Sequence, residues 1–198
     1  KNKGFVLLKD KNYIEAAKSF EKALEISSND PSAVSGVGLS LYWMGNPDQA
    51  AAKAQEAVRS SVVMDELAAI NSLFIFINTS KIDEAIQLGE EIISKASVPR
   101  AEFYYNLGYA YLMKSRVDKA IEFFERSVRM DQDFILAYNN LACALWMQGK
   151  YADAIRKFKD AIDRAPEYID PHFNLGIVYY NLNQLEDAQK EFQKVIEI

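Results

Sequence analysis

The sequence predicts an all-α protein in which a hairpin of two helices is repeated along the chain. Alanines recur at a nearly constant interval of 34 or 35 residues: Ala16, Ala50, Ala85, Ala120, Ala154 and Ala188. Apolar residues four and seven positions after most of these alanines share one helical face with them. The chain has only 8 Gly and 5 Pro among its 198 residues, too few for the many turns of a β-sandwich or barrel.

A small residue twelve positions before most of these alanines marks another helix in each repeat. The residue is Gly4, Gly38, Gly108 or Gly176, and Ala142 takes its place in the fifth repeat. A small side chain at this position allows one helix to approach its partner closely. Each repeat therefore comprises two amphipathic helices, which we call its first helix and its second helix.

A short turn is expected between the two helices of every repeat. The turn residues are Lys11, Gly45, Ser80, Ser115, Gly149 and Asn183, most of which suit a left-handed or turn conformation. The prolines agree with these boundaries: Pro31 and Pro171 open first helices, and Pro47 begins a second helix, where its missing N–H costs nothing.

Three segments of this pattern resemble the tetratricopeptide repeat: residues 104–131, 138–166 and 172–198. The first of them reads YYNLGYAYLMKSRVDKAIEFFERSVRMD, and the order of aromatic, Leu-Gly, aromatic, Ala and Phe is specific to that family. The resemblance covers the whole chain as a single array of about six repeats, the first of them truncated, at about 1–30, 31–64, 65–100, 101–134, 135–168 and 169–198. It implies an α-solenoid that winds into a right-handed superhelix.

Two repeats depart from the family pattern. The third repeat has Ser72 and Leu73 in place of Leu-Gly, and it has Gly89 at an aromatic position, where the second repeat has Ala54. We expect looser packing and altered curvature across these two repeats. The last repeat lacks the polar capping helix usual in such arrays, so its apolar flank is expected to be exposed or paired.

The family resemblance also implies that first helices line a concave groove and second helices form a charged, solvated back. The outward positions of the first helices carry mostly apolar and aromatic residues, with Ser35 and Asn139 among the polar exceptions, and this composition indicates an interaction site. We interpret the face as a groove for an apolar or amphipathic segment of a protein or peptide. The candidate partner-binding residues are Phe74, Tyr105, Asn106, Tyr109, Met113, Asn139, Asn140, Cys143, Met147, Phe173, Asn174 and Ile177.

Two alternatives apply to parts of this groove. Leu39, Ile77, Leu112 and Trp146 also fit a role in packing between neighbouring first helices. The recurring amides of Asn71, Asn106, Asn140 and Asn174 either hold a ligand backbone or bond within the array. One subset of the family grips a C-terminal carboxylate with Lys, Arg and Asn, but no basic residue stands at the matching positions here, so that specificity is not expected.

No catalytic, cofactor or metal site is predicted. The chain has one His and one Cys, too few for the usual zinc sites. His172 stands where the repeat needs a large packing residue, and Cys143 is interpreted as a small apolar groove residue. With 23 basic and 28 acidic residues, the net charge of −5 disfavours nucleic acid and anionic membranes as partners.

The composition leaves the cellular location open. No apolar stretch is long enough for direct membrane insertion, so a soluble protein is expected. The chain begins within a repeat and without Met, so we expect it to be a fragment that lacks any targeting segment, and its localisation is unknown. Besides partner binding, a homo-oligomer formed through the groove or the uncapped ends, or a regulatory array within a larger protein, is compatible with the sequence.

Overall fold

The computed structural model describes residues 1–59, 65–95 and 100–198, which form an all-α helical repeat solenoid. No strand occurs in these three ranges, and within each range the successive helices are joined by short turns. The helices are α1 (Asn2–Lys9), α2 (Tyr13–Ile26), α3 (Pro31–Trp43), α4 (Pro47–Arg59), α5 (Glu66–Asn78), α6 (Ile82–Ser94), α7 (Ala101–Met113), α8 (Val117–Met130), α9 (Ile135–Met147), α10 (Tyr151–Arg164), α11 (Ile169–Asn181) and α12 (Leu185–Glu197). Odd-numbered helices are first helices and even-numbered helices are second helices.

The chain divides into two compact units. The N-terminal unit covers Lys1–Ala110, with α1 to α6 and most of α7. The C-terminal unit covers Tyr111–Ile198, with the end of α7 and α8 to α12.

In the N-terminal unit, α3 packs against α2, α4 and α5, and α5 packs against α4 and α6. The fully buried ring of Phe20 lies beside two glycines, Gly4 in its own repeat and Gly36 in the next. A Cβ at Gly4 would stand 2.7 Å from this ring, and a Cβ at Gly36 would stand 2.6 Å from it. Both glycines are therefore required by the close approach of the ring, and Gly36 is one that the sequence pattern did not single out.

Side-chain caps fix where two of these first helices begin. The carboxylate of Asp30 accepts a hydrogen bond from the N–H of Ala33 at 3.0 Å, and Pro31 follows as the first residue of α3. The carboxylate of Asp65 caps α5 through the N–H of Ala68 at 2.8 Å. It also accepts a hydrogen bond of 2.7 Å from the hydroxyl of Ser32 in α3, which ties two neighbouring first helices together.

In the C-terminal unit, α9 packs against α8, α10 and α11, and α11 packs against α12. Its fully buried large side chains include Tyr111, Phe124, Phe158, Leu141 and Leu175. All six marker alanines of the chain are buried, with exposed fractions between 0% and 3%. The structure thus confirms that these periodic alanines occupy core-facing positions of the second helices.

The six predicted turn residues all adopt the left-handed conformation. Gly45 and Gly149 have φ of +82° and +78°. The other four, with φ between +57° and +61°, are Lys11, Ser80, Ser115 and Asn183. The prediction of a left-handed turn between the helices of each repeat is confirmed, including at residues other than Gly.

Looser packing was expected across the second and third repeats, and at Gly89 the packing is instead close. Gly89 is buried, because the side chain of Leu107 in the next first helix occupies the space that an aromatic ring would fill. Ala54 is also fully buried. A cavity of about 230 Å³ does lie between α4 and α6, where Val58, Phe76 and Leu88 line it together with polar side chains.

Candidate partner-binding face

First and second helices differ in their content of Lys and Arg, except that α1 contains two Lys and α6 contains neither residue. The five first helices α3, α5, α7, α9 and α11 contain no Lys or Arg, and their only acidic residues are Glu66, Glu102 and Asp170. Among the second helices, by contrast, α8 carries three basic residues and α10 carries four. The surface that these five helices form within each unit is therefore apolar and aromatic, and we call it the first-helix face.

An aromatic cluster of Tyr13, Tyr42, Trp43 and Phe74 lies in the N-terminal unit. Trp43 stacks with Tyr13 and with Phe74, each at 6.0 Å between ring centroids, and Tyr42 meets Phe74 edge-on at 5.5 Å. Half of the surface of Trp43 is exposed, and Phe74 is partly buried. Sequence reasoning named Phe74 as a site residue but missed Tyr13, because Tyr13 belongs to a second helix and only the fold brings it to Trp43.

Two tyrosines on α7 continue the first-helix face of this unit. Tyr105 and Tyr109 stack with ring centroids 6.5 Å apart, and Tyr109 is 38% exposed. Their spacing of four residues places both rings on one side of the helix. Aromatic side chains that are half exposed and held by a neighbouring ring give a ligand a rigid apolar surface.

In the C-terminal unit the most exposed of the predicted site residues are Met113, Met147 and Phe173, with exposed fractions between 48% and 58%. Tyr180, one turn beyond Ile177 on α11, is 63% exposed and is not among the predicted set. Ile177 and Cys143 are partly buried. Burial, together with the negative charge of Asp170, raises the pKa of the Cys143 thiol to about 11.

Side-chain amides link neighbouring first helices in both units. Asn71 donates a hydrogen bond to the hydroxyl of Ser35 at 3.1 Å, and Asn174 donates one to the side-chain oxygen of Asn139 at the same distance. Asn139 in turn donates to the side-chain oxygen of Asn140 at 3.3 Å. For Asn71 and Asn174, bonding within the array is thus observed, and a ligand contact by Asn139, Asn140 or Asn174 stays a prediction.

Ser35 and Asn139 were predicted to face outward and are instead buried, with exposed fractions of 0% and 6%. Each accepts a hydrogen bond from an Asn in the following first helix, and this contact covers it. At the same position of the third repeat stands Ile70, which has no side-chain acceptor. Asn106 in the following first helix accordingly makes no side-chain hydrogen bond to any residue that the structure describes, and its amide remains available for a ligand.

For four outward positions, the sequence left packing between neighbouring first helices as the alternative to a role in partner binding. Ile77 is buried, with an exposed fraction of 6%, which supports packing at that position. Leu39, Leu112 and Trp146 are partly buried. These three side chains present only part of their surface on the first-helix face.

The single histidine has a structural role, as the sequence indicated. His172 is 5% exposed, and its Nδ1 lies 2.7 Å from a carboxylate oxygen of Glu191 in α12. Its Nε2 lies 3.1 Å from the carbonyl oxygen of Pro166 and donates to it, because a carbonyl can only accept. The ring thus joins α11, α12 and the preceding loop.

Neither a cluster of metal ligands nor a membrane-spanning helix occurs among the described residues. Within residues 1–59, 65–95 and 100–198, no group of three or more His, Cys, Asp or Glu side chains is arranged to hold a metal ion. None of the helices in those same ranges has the length and apolar character needed to cross a membrane.

Comparison with known families agrees with the geometry of the helix pairs. Sequence profiles of the tetratricopeptide repeat match residues 2–30, 101–134 and 145–198. The chain belongs to the tetratricopeptide repeat family. Tetratricopeptide repeats form protein-interaction scaffolds, and this chain has the helical array of such a scaffold. Among curated proteins, no sequence matches it.

Solved structures of other tetratricopeptide repeat proteins share the fold. The crystal structure of YrrB, a TPR protein with an unusual peptide-binding site, has a TM-score of 0.70 and 19% identity, over 91% of this chain and 92% of that chain. PilF of Pseudomonas aeruginosa has a TM-score of 0.81 and 19% identity, over 96% and 86%. A MamA double mutant has a TM-score of 0.73 and 19% identity, over 85% and 93%.

Proposed function

We propose that the first-helix face binds an apolar or amphipathic segment of a partner protein, so that the chain acts as a binding scaffold and not as an enzyme. The observation that carries this proposal is the exposure of large apolar side chains on helices that have no Lys or Arg. Trp43, Met147 and Phe173 are each about half exposed. Exposed apolar patches of this kind are typical of interaction surfaces.

The side chains of this face can contact both the apolar side chains and the backbone of a bound segment. Aromatic rings and methionines provide apolar contact area, and Met adapts its shape to different partners. The amide of Asn106, which has two donors and an acceptor, is suited to hydrogen bonds with a ligand backbone. Such a face accepts a helix through its apolar side or an extended peptide through alternate side chains.

The similarity to YrrB supports a peptide as the type of ligand, because that protein is described as having a peptide-binding site. At 19% sequence identity, the two chains have the fold in common. The residues named for this chain therefore rest on its own exposed side chains.

Capture of partners from a lysate of the source organism, with matched charge insertions, tests the proposal. Met147→Glu and Met130→Glu introduce the same group at residues that are 58% and 47% exposed. Met147 lies on the first helix α9 and Met130 on the second helix α8. We expect a partner protein to be retained by the parent and by Met130→Glu, and to be lost with Met147→Glu.

Trp43→Glu and Ile14→Glu form the corresponding pair in the N-terminal unit, on α3 and α2. Retention of the same proteins by all variants, or by none including the parent, would rule out the first-helix face as the binding site. Circular dichroism of each variant checks that helix content is unchanged.

A second candidate function is self-association through the outer helices. Val6 on α1 is 60% exposed, and Leu185 and Ile196 on α12 are 51% and 77% exposed. Sedimentation over a range of protein concentrations tests this candidate. Growth in mass without a partner supports it, and a constant monomer mass contradicts it.

A further inference from the structure

We infer that the segment bound by the first-helix face is basic, with Lys or Arg among its apolar residues. This inference rests on the proposed function and names the partner's chemistry. The charges of the face, its exposed rings and two acidic side chains in line with those rings all favour such a segment.

Cations are absent from the helices that form the face. Five first helices of 13 residues each contain no Lys or Arg, while the second helices α8 and α10 contain three and four. An acidic ligand would lose water on binding and would find no cation on these helices. A basic ligand also loses water, but the charged side chains that it meets on these helices are carboxylates, which attract it and offset that cost.

Within the described chain, Glu102 on α7 has a free carboxylate. It precedes Tyr105 by three residues and Tyr109 by seven, so the three side chains lie along one side of the helix. Glu102 is exposed and forms no ion pair with any residue in the described part of the chain. Glu66 on α5 differs, because it pairs with Arg100 at 2.9 Å.

The same arrangement occurs independently in the C-terminal unit. Asp170 precedes Phe173 by three residues and Ile177 by seven on α11, and its carboxylate accepts a hydrogen bond from the hydroxyl of Tyr168 at 2.8 Å. A carboxylate in the first turn also favours its own helix through the helix dipole. That effect does not require the carboxylate to lie in line with exposed aromatic residues, as both of these do.

The exposed rings of the first-helix face differ from the buried rings in whether a cation lies over them. Lys and Arg side chains lie over the rings of Tyr111, Phe123, Tyr138 and Tyr179, which belong to the C-terminal unit and are largely buried. No Lys or Arg of the described chain covers the rings of Trp43, Tyr109 or Tyr180. Exposed rings of this kind attract a ligand cation.

Three synthetic helical peptides with one shared apolar face test the inference. Their polar face consists of Lys, Gln or Glu, and binding of each fluorescently labelled peptide to the full chain is followed by anisotropy. We expect the Lys peptide to bind at least about tenfold more tightly than the Glu peptide at low salt, with a smaller difference at high salt because ions screen exposed charges.

A matched pair of variants separates local attraction from the overall charge of −5. Glu102→Gln and Glu21→Gln each remove one exposed carboxylate without an ion pair in the described chain, on the first helix α7 and on the second helix α2. We expect Glu102→Gln to weaken binding of the Lys peptide several-fold and Glu21→Gln to leave it unchanged. Equal weakening by both variants would mean that net charge alone attracts the peptide and would overturn the inference.

The remaining outcomes distinguish this inference from the proposed function. Equal affinity for all three peptides, or preference for the Glu peptide, overturns the basic partner but leaves an apolar binding face in place. Absence of binding by every peptide overturns the inference and also counts against the proposed function. Growth in mass of the chain without peptide would instead identify a second copy as the occupant.

Discussion

Leu107 packs so closely on Gly89 that its Cδ1 lies 2.5 Å from the point where a Cβ of residue 89 would stand. Four other repeats carry a phenylalanine at the position of Gly89: Phe20, Phe124, Phe158 and Phe192. In the third repeat the apolar volume is supplied by the following first helix. A departure from the family pattern at one residue is thus compensated by a residue of the next repeat.

Restoring the family's aromatic residue at this position should destabilise the protein. Gly89→Phe overpacks the site against Leu107 and is expected to lower the free energy of unfolding by about 1–3 kcal/mol. Leu107→Ala alone should cost about 2–5 kcal/mol through the cavity it leaves. The double variant should cost clearly less than the sum of both, as measured by urea unfolding. Additive costs would show that the two side chains do not compete for the same space.

Removing one buried hydroxyl should stabilise the protein. Ser72 is fully buried, and its Oγ has no hydrogen-bond partner among the described residues. Ser72→Ala is expected to raise the free energy of unfolding by about 1 kcal/mol, because an unpaired buried polar group is unfavourable. Ser40 is the control, since its equally buried hydroxyl donates to the carbonyl of Gly36 at 2.9 Å. Ser40→Ala should not stabilise, and equal effects at both serines would contradict this account.

At the left-handed turns, adding a side chain should lower stability, whereas removing one should leave it equal or slightly higher. Gly149 has φ of +78°, and a Cβ added to it would meet nothing within 4 Å, so Gly149→Ala changes only backbone strain and should cost about 1 kcal/mol. Ser115 has φ of +57°, and Ser115→Gly should relieve strain and leave stability equal or slightly higher. Thermal unfolding of both variants checks the signs. A loss of stability in Ser115→Gly matching that of Gly149→Ala would contradict the argument.

Cys143 should react slowly with iodoacetamide in the folded protein. Its raised pKa of about 11 keeps the thiol protonated at pH 8, and only the thiolate reacts. The rate should rise about tenfold for each pH unit towards 11. Asp170→Asn should increase the rate at pH 8, because it removes a negative charge that raises the thiol pKa.

The same shift has a consequence for stability. An unfolded thiol loses its proton near its ordinary pKa of about 8.5, whereas the folded thiol keeps it up to about 11. The unfolded state therefore binds fewer protons between these values, and stability should fall as pH rises through this window. Cys143→Ala is the control and should lack this part of the pH dependence. Fast alkylation of folded protein at pH 8 would show that the thiol is not held in its protonated form.

Substitutions at two asparagines of the first-helix face should affect different properties, stability at Asn139 and partner binding at Asn106. Asn139 is buried and bonds to two other amides, so Asn139→Ala should lower the free energy of unfolding by about 1–2 kcal/mol. Asn106 has no side-chain partner in the part of the chain that is described, so Asn106→Ala should leave stability nearly unchanged and weaken binding of the captured partner. Urea unfolding and the capture assay measure the two effects. A large stability loss in Asn106→Ala would contradict this division.

Much of the fold could be predicted because its signals are local. The alanine period, the small residue of the first helix and the turn residues all lie within one repeat, and they set the helix pairs and the left-handed turns. Part of the candidate site followed from the same register, since Tyr109, Met113, Met147 and Phe173 are all exposed as the sequence indicated. Ser35 and Asn139 were misplaced because their burial depends on an amide about one repeat away.

The sequence by itself determined the helix pairs, the core-facing alanines and the confinement of Lys and Arg to α1, the second helices and the connecting segments, because each of these depends on spacing within one helix or turn. Only the tertiary structure decided which side chains meet across repeats. It brought Tyr13 to Trp43, placed Leu107 over Gly89 and left the side chain of Asn106 without a hydrogen bond to any residue that is described. Such contacts join residues of successive repeats, and their distances are set by how the helices pack against each other.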